Sequence, residues 1–254
     1  MGCYLVGWLL VFVLGGCAVP AKPPVEPLPA VSAQELLHGL ELRAGRFEAL
    51  QGLGRIRVTV AGRTQSARQV LLVTRPDRLR AEVLGPLGQT VLTVAAGEGI
   101  LTAFLPGEKR FLTGAATPDN LQRLIRVPLA PAELVRLMLH DVPLADASAA
   151  RVEVREDRYL LVLPTAGGGL QSLLLDGRKR LRTAQFERNG VLLWRVGYDD
   201  FRPEDDLPLS MRLEWPSAET DVQLQLSEVK INTTLPAERF RLTPPAGVNV
   251  EPLP

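Results

Sequence analysis

Few side chains in this sequence are suited to chemistry. In 254 residues there are two cysteines, Cys3 and Cys17, and two histidines, His38 and His140. Neither histidine sits at a metal-ligand spacing, and two histidines without a structural cysteine offer little to zinc. Asp199-Asp200 and Glu204-Asp205-Asp206 are acidic, but they fall around loops and read as solvated surface rather than as a calcium site. Ser172 and Ser210 have no recognisable nucleophile context. Gly167-Gly168-Gly169 lacks the lysine and helix onset of a phosphate loop and reads as a hairpin connection. No catalytic residue, metal or cofactor is expected, and the chain reads as a protein that is not an enzyme.

One cysteine stands in a chemical context. Leu14-Gly15-Gly16-Cys17 closes an almost wholly apolar segment, and a proline-rich run follows it. A small-residue pair directly before a cysteine in that position looks like the cleavage and lipidation site of bacterial lipoproteins. Cys17 is then the first residue of the mature chain, with a diacylglyceryl group on its thiol and an acylated amine. An ordinary export signal or an uncleaved anchor is the alternative. Residues 1 to 17 carry no charged side chain, so the usual positive start is missing. Val6 to Leu14 is short for a membrane span of about 20 residues. More than one acyl chain, each buried CH2 contributing about 0.8 kcal/mol, anchors a protein firmly.

The elements downstream set what hangs from that anchor. Removing residues 1 to 17 leaves 237 of the 254 residues and no cysteine. The folded part therefore suits an oxidising compartment without depending on a disulfide. With 29 basic and 28 acidic side chains the chain has no charge excess that would imply nucleic acid. Residues 18 to 31 hold Pro20, Pro23, Pro24, Pro27 and Pro29, a density that favours extended conformations, and read as a tether. Residues 32 to 254 read as one domain.

Ser32-Ala33-Gln34-Glu35 has the form of a capping box, and Leu36, Leu37, Leu40, Phe47 and Leu50 recur with an imperfect helical period, so a helix is predicted from about Ala33 to Leu50. From Gly52 the period becomes two. Ile56, Val58 and Val60 alternate with arginines and a threonine, and Leu79, Ala81 and Val83 alternate with Arg78, Arg80 and Glu82. Further alternating segments run to Val229, with Asp176-Gly177 and Asn189-Gly190 as strong turn dipeptides. Phe240 to Val250 reads as a proline-punctuated edge strand with a tail. Two short helices interrupt the strands, one after Thr117-Pro118 and one opening at Pro131. The fold class is mainly β with helices, in about eleven strands. Clean alternation means one apolar and one wet face, the antiparallel habit. A sheet this long must curl strongly or close. Periodicity alone fits a filled barrel or a sandwich as well as a cavity.

Several runs, taken in order, carry a resemblance. Arg78-Leu79-Arg80 leads through Leu84-Gly85-Pro86-Leu87-Gly88 into Gln89-Thr90-Val91-Leu92. Leu124-Ile125-Arg126-Val127-Pro128-Leu129 runs into Ala132-Glu133-Leu134-Val135-Arg136-Leu137-Met138-Leu139 and Pro143. Phe186-Glu187-Arg188-Asn189-Gly190 precedes Trp194-Arg195-Val196-Gly197-Tyr198 and Asp199-Asp200-Phe201, and Leu207-Pro208-Leu209-Ser210-Met211-Arg212-Leu213 closes the set. Together they resemble the LolB family of outer-membrane lipoprotein receptors and the related LolA family of periplasmic carriers, over residues 35 to 230. The ending from Leu235 to Val250 resembles the carrier more than the receptor.

The resemblance implies a single strongly curved antiparallel sheet, a half-barrel covered by helices around an apolar cavity for lipoprotein acyl chains. It implies a lipid-anchored receptor that takes triacylated lipoproteins from a periplasmic lipoprotein carrier and releases them among the outer-membrane lipids. Leu87, between Pro86 and Gly88, matches the loop leucine that assists release. Read from its residues alone, the same leucine is expected to be a core-facing turn residue, with insertion into a bilayer as the alternative. Ala18 after the cysteine suggests, by resemblance to enterobacterial sorting, the outer membrane facing the periplasm. Candidate acyl-pocket residues are Ile56, Val58, Val73, Leu79, Val83, Leu92, Leu101, Leu174, Trp194, Val196 and Met211, whose alternative is ordinary core packing. Leu121, Leu124, Leu134 and Met138 are candidates for a lid. A different class of function competes with this one: a lipoprotein adaptor with a filled interior, binding a protein partner in an envelope complex through an exposed apolar patch.

Overall fold

A computed structural model describes residues 28–146 and 148–253. The lipidation segment with Cys17, and the tether as far as residue 27, lie outside the described residues.

The first element is α1 (Ala33–Ala44), whose Leu36, Leu37 and Leu40 are buried. Ser32 Oγ accepts the Glu35 N–H at 3.1 Å, which satisfies one free amide of the first turn. The other half of the expected capping box is absent, because the Glu35 carboxylate pairs with Lys179. The helix is also shorter than the predicted span. It stops at Gly45, and Phe47 is buried from the connection that follows and Leu50 from a strand, rather than from a helix face. Glycine at that point weakens the next turn, and burial of Phe47 and Leu50 in the sheet outweighs it.

Six strands follow as an uninterrupted meander: β1 (Ala49–Val60), β2 (Arg63–Thr74), β3 (Arg78–Leu84), β4 (Thr90–Gly97), β5 (Ile100–Leu105) and β6 (Arg110–Ala115). Two helices come next, α2 (Pro118–Ile125) and α3 (Pro131–Met138). A second meander comprises β7 (Arg151–Arg155), β8 (Arg158–Thr165), β9 (Gly169–Asp176), β10 (Leu181–Arg188), β11 (Val191–Phe201), β12 (Pro208–Trp215) and β13 (Thr220–Ile231). The last strand is β14 (Asn249–Pro252).

All fourteen strands form one sheet, in the order β14-β6-β5-β4-β3-β2-β1-β13-β12-β11-β10-β9-β8-β7. The pairing of β1 with β13 joins the two meanders, from Leu50 opposite Ile231 to Val60 opposite Thr220. The expected total of about eleven strands is too low. Each alternating segment keeps its own strand, and even the five-residue β7 and four-residue β14 pair independently. The sheet curls but stays open, with β14 and β7 at its two edges. Register shifts at Gln51/Leu53, Val83/Leu84, Leu181/Thr183 and Phe186/Glu187 supply bulges, which bend strands and add twist.

Tight turns fix the registers. Asn189-Gly190 joins Arg188 to its partner Val191, with φ of 51° and 76°. Both central residues are left-handed, as a two-residue hairpin requires. The Ala166–Gly168 segment, a short 3-10 turn, connects β8 to β9, where the glycine run was expected to make a hairpin connection.

The core lies on the inner face, where Leu50, Val73, Leu101, Leu161, Leu173 and Val196 are fully buried with the apolar side of the helices. A second, smaller cluster covers the outer face: Ala49, Leu72, Leu235 and Phe240. The segment after β13 makes it. Phe240 was expected on an edge strand, but it sits in a 3-10 turn (Ala237–Phe240) and is buried. Only Asn249–Pro252 is strand, and it runs parallel to β6. The prolines on both sides remove the N–H groups a longer ladder would need. The described end of the tether is docked as well: Leu28 and Val31 pack on the core, and Tyr159 donates to Pro29 O at 3.1 Å.

Candidate functional site

The two short helices cross the inner face of the first meander and leave a cleft beside it. α2 begins at Thr117, whose Oγ1 accepts the Asn120 N–H at 3.2 Å, and ends at Arg126 with a left-handed φ of 65°. α3 begins with Pro131, and Glu133 Oε2 accepts the Ala130 N–H at 2.9 Å. Between them, Val127 is buried and lines the cleft.

The cleft has a volume of about 710 Å³. Its floor is the inner face of β1 to β4 and of β12 and β13. Ile56, Val58, Leu79, Val83, Leu92 and Met211, all acyl-pocket candidates from the sequence, line it together. Leu124, Leu134 and Met138, three of the four lid candidates, form its helical wall. Ala67, Leu71, Ala81, Leu213, Val222 and Leu224 line it as well. Their signal was in the alternation. Ala81 shares a face with Leu79 and Val83, while Leu224 and Val222 lie directly opposite Met211 and Leu213.

The other candidates lie elsewhere. Val73, Leu101, Val196 and Leu121 are packed in the solid core and do not reach the cleft. Trp194 is half-buried on the inner face of β11, where it stacks on Phe186 with centroids 6.5 Å apart. Leu174 belongs to the opposite surface. Its neighbours Leu173 and Leu175 are buried inward, and Leu174 borders an outer groove with Asp157, Arg158 and Arg212. A run of three leucines hides the period-two signal there, which is why the sequence put it inside.

The cleft is not wholly apolar. Arg123 and Arg126 stand in its wall, and among the described residues no aspartate or glutamate lines it. Gln65 and Ser66 border it, and Gln69 opens into it from β2. Gln69 is only 4 % exposed as a residue, and its side chain belongs to the lining of the cleft. Neither arginine nor this glutamine was singled out in the sequence, because each alternates or recurs like any solvated residue.

α3 is a fixed wall. The Asp141 carboxylate, just beyond it, accepts two bonds from Arg136 and one from Arg75, each at 2.9 Å. Arg75 also donates to Phe47 O at 3.1 Å and to Ala44 O at 2.5 Å, so the end of α1 is tied to the same point. Burial alone would raise the Asp141 carboxyl, but the two guanidiniums more than reverse that and hold it below its usual range. Tyr198 donates to Leu137 O at 2.9 Å, and burial pushes its phenol up. His140 lies edge-on to Tyr198 and Phe201, with Nε2 3.1 Å from Leu181 O. Burial lowers its imidazole to about 4.

The acidic run beyond β11 is not merely solvated. Asp205 pairs with Arg202 and accepts the Leu207 N–H at 3.1 Å, and Asp206 accepts from Arg180 at 3.2 Å. Among the described residues no group of three or more His, Cys, Asp or Glu is placed to hold a metal ion.

Leu87 sits at the tip of the β3–β4 turn and is 93 % exposed, so the core-facing expectation does not hold. Gly88 N–H donates to Gly85 O at 3.0 Å, and Gly85 N–H to Gln89 O at 2.8 Å. Gly88 has φ of 82°, a conformation glycine adopts without strain. Gln89 Oε1 accepts the Leu87 N–H at 3.1 Å. The backbone of the turn is thereby satisfied, and the leucine side chain is left in water.

No protein-family model and no curated protein matches the sequence. Solved structures match the fold. The LolA superfamily protein NE2245 from Nitrosomonas europaea is 17% identical, with a TM-score of 0.53 over 84% of this chain and 99% of its own. A domain from Vibrio parahaemolyticus, named for outer membrane lipoprotein sorting, is 15% identical with a TM-score of 0.51 over 82% and 97%. A DUF1329 family protein from Desulfovibrio piger is 11% identical with a TM-score of 0.54 over 82% and 95%. The chain is similar to these proteins in architecture: its mainly β structure, a single large open sheet with few helices, is a LolA-like fold.

Proposed function

We propose that this protein is a lipid-anchored receptor of the outer membrane that accepts acylated lipoproteins from a periplasmic carrier and passes them into the membrane. The observation that carries the reading is the cleft. Its volume of about 710 Å³ lies in the range of ligand sites, and aliphatic side chains from two helices and six strands dominate its walls. Such walls gain about 25 cal/mol for each Å² of acyl surface they remove from water, without directional contacts that would trap the cargo. Transfer needs no bond-making step. It follows from differential affinity, with the bilayer as the final sink.

Leu87 supports the second half of the reading. A leucine held out in water gains roughly 2 kcal/mol on entering an apolar phase. Placed at a rigid turn with no packing of its own, it can enter a bilayer without disturbing the fold. Anchorage through Cys17 fits this arrangement, since a tethered receptor faces the membrane it serves. The reading is tested by Leu87→Glu in cells. Outer-membrane delivery of lipoproteins is expected to fall while the protein remains folded and cleft-competent. Undiminished delivery by that variant would remove the loop from the mechanism.

A further inference from the structure

The cleft has features that a purely hydrocarbon ligand would not use. Two guanidiniums belong to its wall, Arg126 and Arg123, the latter also donating to Asn120 Oδ1 at 3.4 Å, and among the described residues no carboxylate does. Arg126 has no ion pair to another described residue, and the left-handed turn that ends α2 places it beside the buried Val127. At the floor, Gln69 opens into the cleft, where Ile56, Leu71 and Val83 line the same space. An amide at the floor of a largely aliphatic cleft can donate to a ligand carbonyl that reaches it.

These groups match one kind of molecule. Acyl chains fit the aliphatic walls, an ester carbonyl accepts from the Gln69 amide, and a phosphodiester meets the arginines. We infer that the cleft binds an anionic glycerophospholipid, which occupies it when lipoprotein cargo is absent and is exchanged for the cargo's acyl chains. This rests on the acyl-binding reading above and specifies the chemistry of the same site. Guanidinium is suited to phosphate because its N–H groups form a planar fork that two oxygens can accept from together. A zwitterionic head carries a cation that the same arginines repel.

The test uses the mature full-length protein and displacement of a fluorescent fatty-acid probe. Short-chain phosphatidylglycerol, phosphatidylcholine, their ether-linked counterparts, a synthetic triacylated lipopeptide and inorganic phosphate are the competitors. Phosphatidylglycerol is expected to compete about tenfold better than phosphatidylcholine, because both present the phosphodiester but only the choline ammonium is repelled by the arginines. Arg126→Gln, and more strongly Arg123→Gln/Arg126→Gln, should abolish that preference. Gln69→Leu should weaken ester-linked lipid several-fold and leave the ether-linked lipid as it was. Equal competition by the two head groups, or a preference that survives loss of both arginines, would overturn the inference and leave acyl binding standing. Competition by inorganic phosphate alone would show an anion site without lipid specificity and also overturn it. Failure of the probe, the lipids and the lipopeptide all to bind would remove the acyl-binding reading itself.

Discussion

His140 and Asp141 are adjacent, and both make the fold depend on acid. His140 is buried neutral, with its imidazole lowered to about 4 from an ordinary 6.5. Below about 6.5 the unfolded chain takes up a proton that the folded chain refuses, so stability falls as pH drops from there toward 4. Asp141 adds to this at lower pH. Its folded carboxyl lies below the usual range, so its contribution is present at neutral pH and is lost as pH falls through the carboxylate region. Urea midpoints measured from pH 7.5 to 4 are expected to decline, and His140→Gln should flatten the portion between 6.5 and 4. Asp141→Asn leaves Arg75 and Arg136 facing each other without their shared acceptor. Arg136 is partly exposed, so water screens part of the loss. A cost of about 2–3 kcal/mol at pH 7 is expected from urea unfolding. Residue identity was only partly legible at this scale. Leu87 stood out as a leucine between proline and glycine, and the structure exposes it. His140 read as isolated, because its partners Leu181, Tyr198 and Phe201 lie at least 41 positions away along the chain.

At the scale of elements, alternation placed nearly every strand, since side chains on successive residues must face opposite ways. It also put six of the eleven pocket candidates into the cleft. It failed where composition masked the period: Leu173-Leu174-Leu175 offers no polar residue to show which side is out. It also carried no information on depth. Val73, Leu101 and Val196 share the inner face with the cleft residues but are covered by close packing. The C-terminal segment was the element least legible, since its fold comes from docking on the outer face rather than from a pattern of its own. Phe240 closes that contact with Leu72 and Leu235, and Arg80 donates to Arg239 O at 2.9 Å beside it. Phe240→Ala should cost about 3 kcal/mol in urea unfolding by opening a cavity there, with acyl binding on the other face little changed. Leu87→Glu is its opposite. A side chain that touches almost nothing should change stability by no more than about 0.5 kcal/mol, however large its effect on membrane transfer.

For the whole molecule, the joint between β1 and β13 turns two meanders into one sheet long enough to curl around its helices. Curling leaves an apolar inner face too broad for three short helices to fill. Packing is complete where α3 is tied by Asp141, Tyr198 and His140, and incomplete beneath the end of α2. The sequence contained the parts of this arrangement without saying whether the interior was full, because a lining leucine and a packed leucine obey the same period. The central claim is that the open part holds acyl chains. Native mass spectrometry of the mature protein, released gently from a bacterial envelope, tests it most directly. Bound mass matching an acylated molecule is expected, displaced when a synthetic triacylated lipopeptide is added. A protein that emerges empty and also refuses the lipopeptide would contradict it.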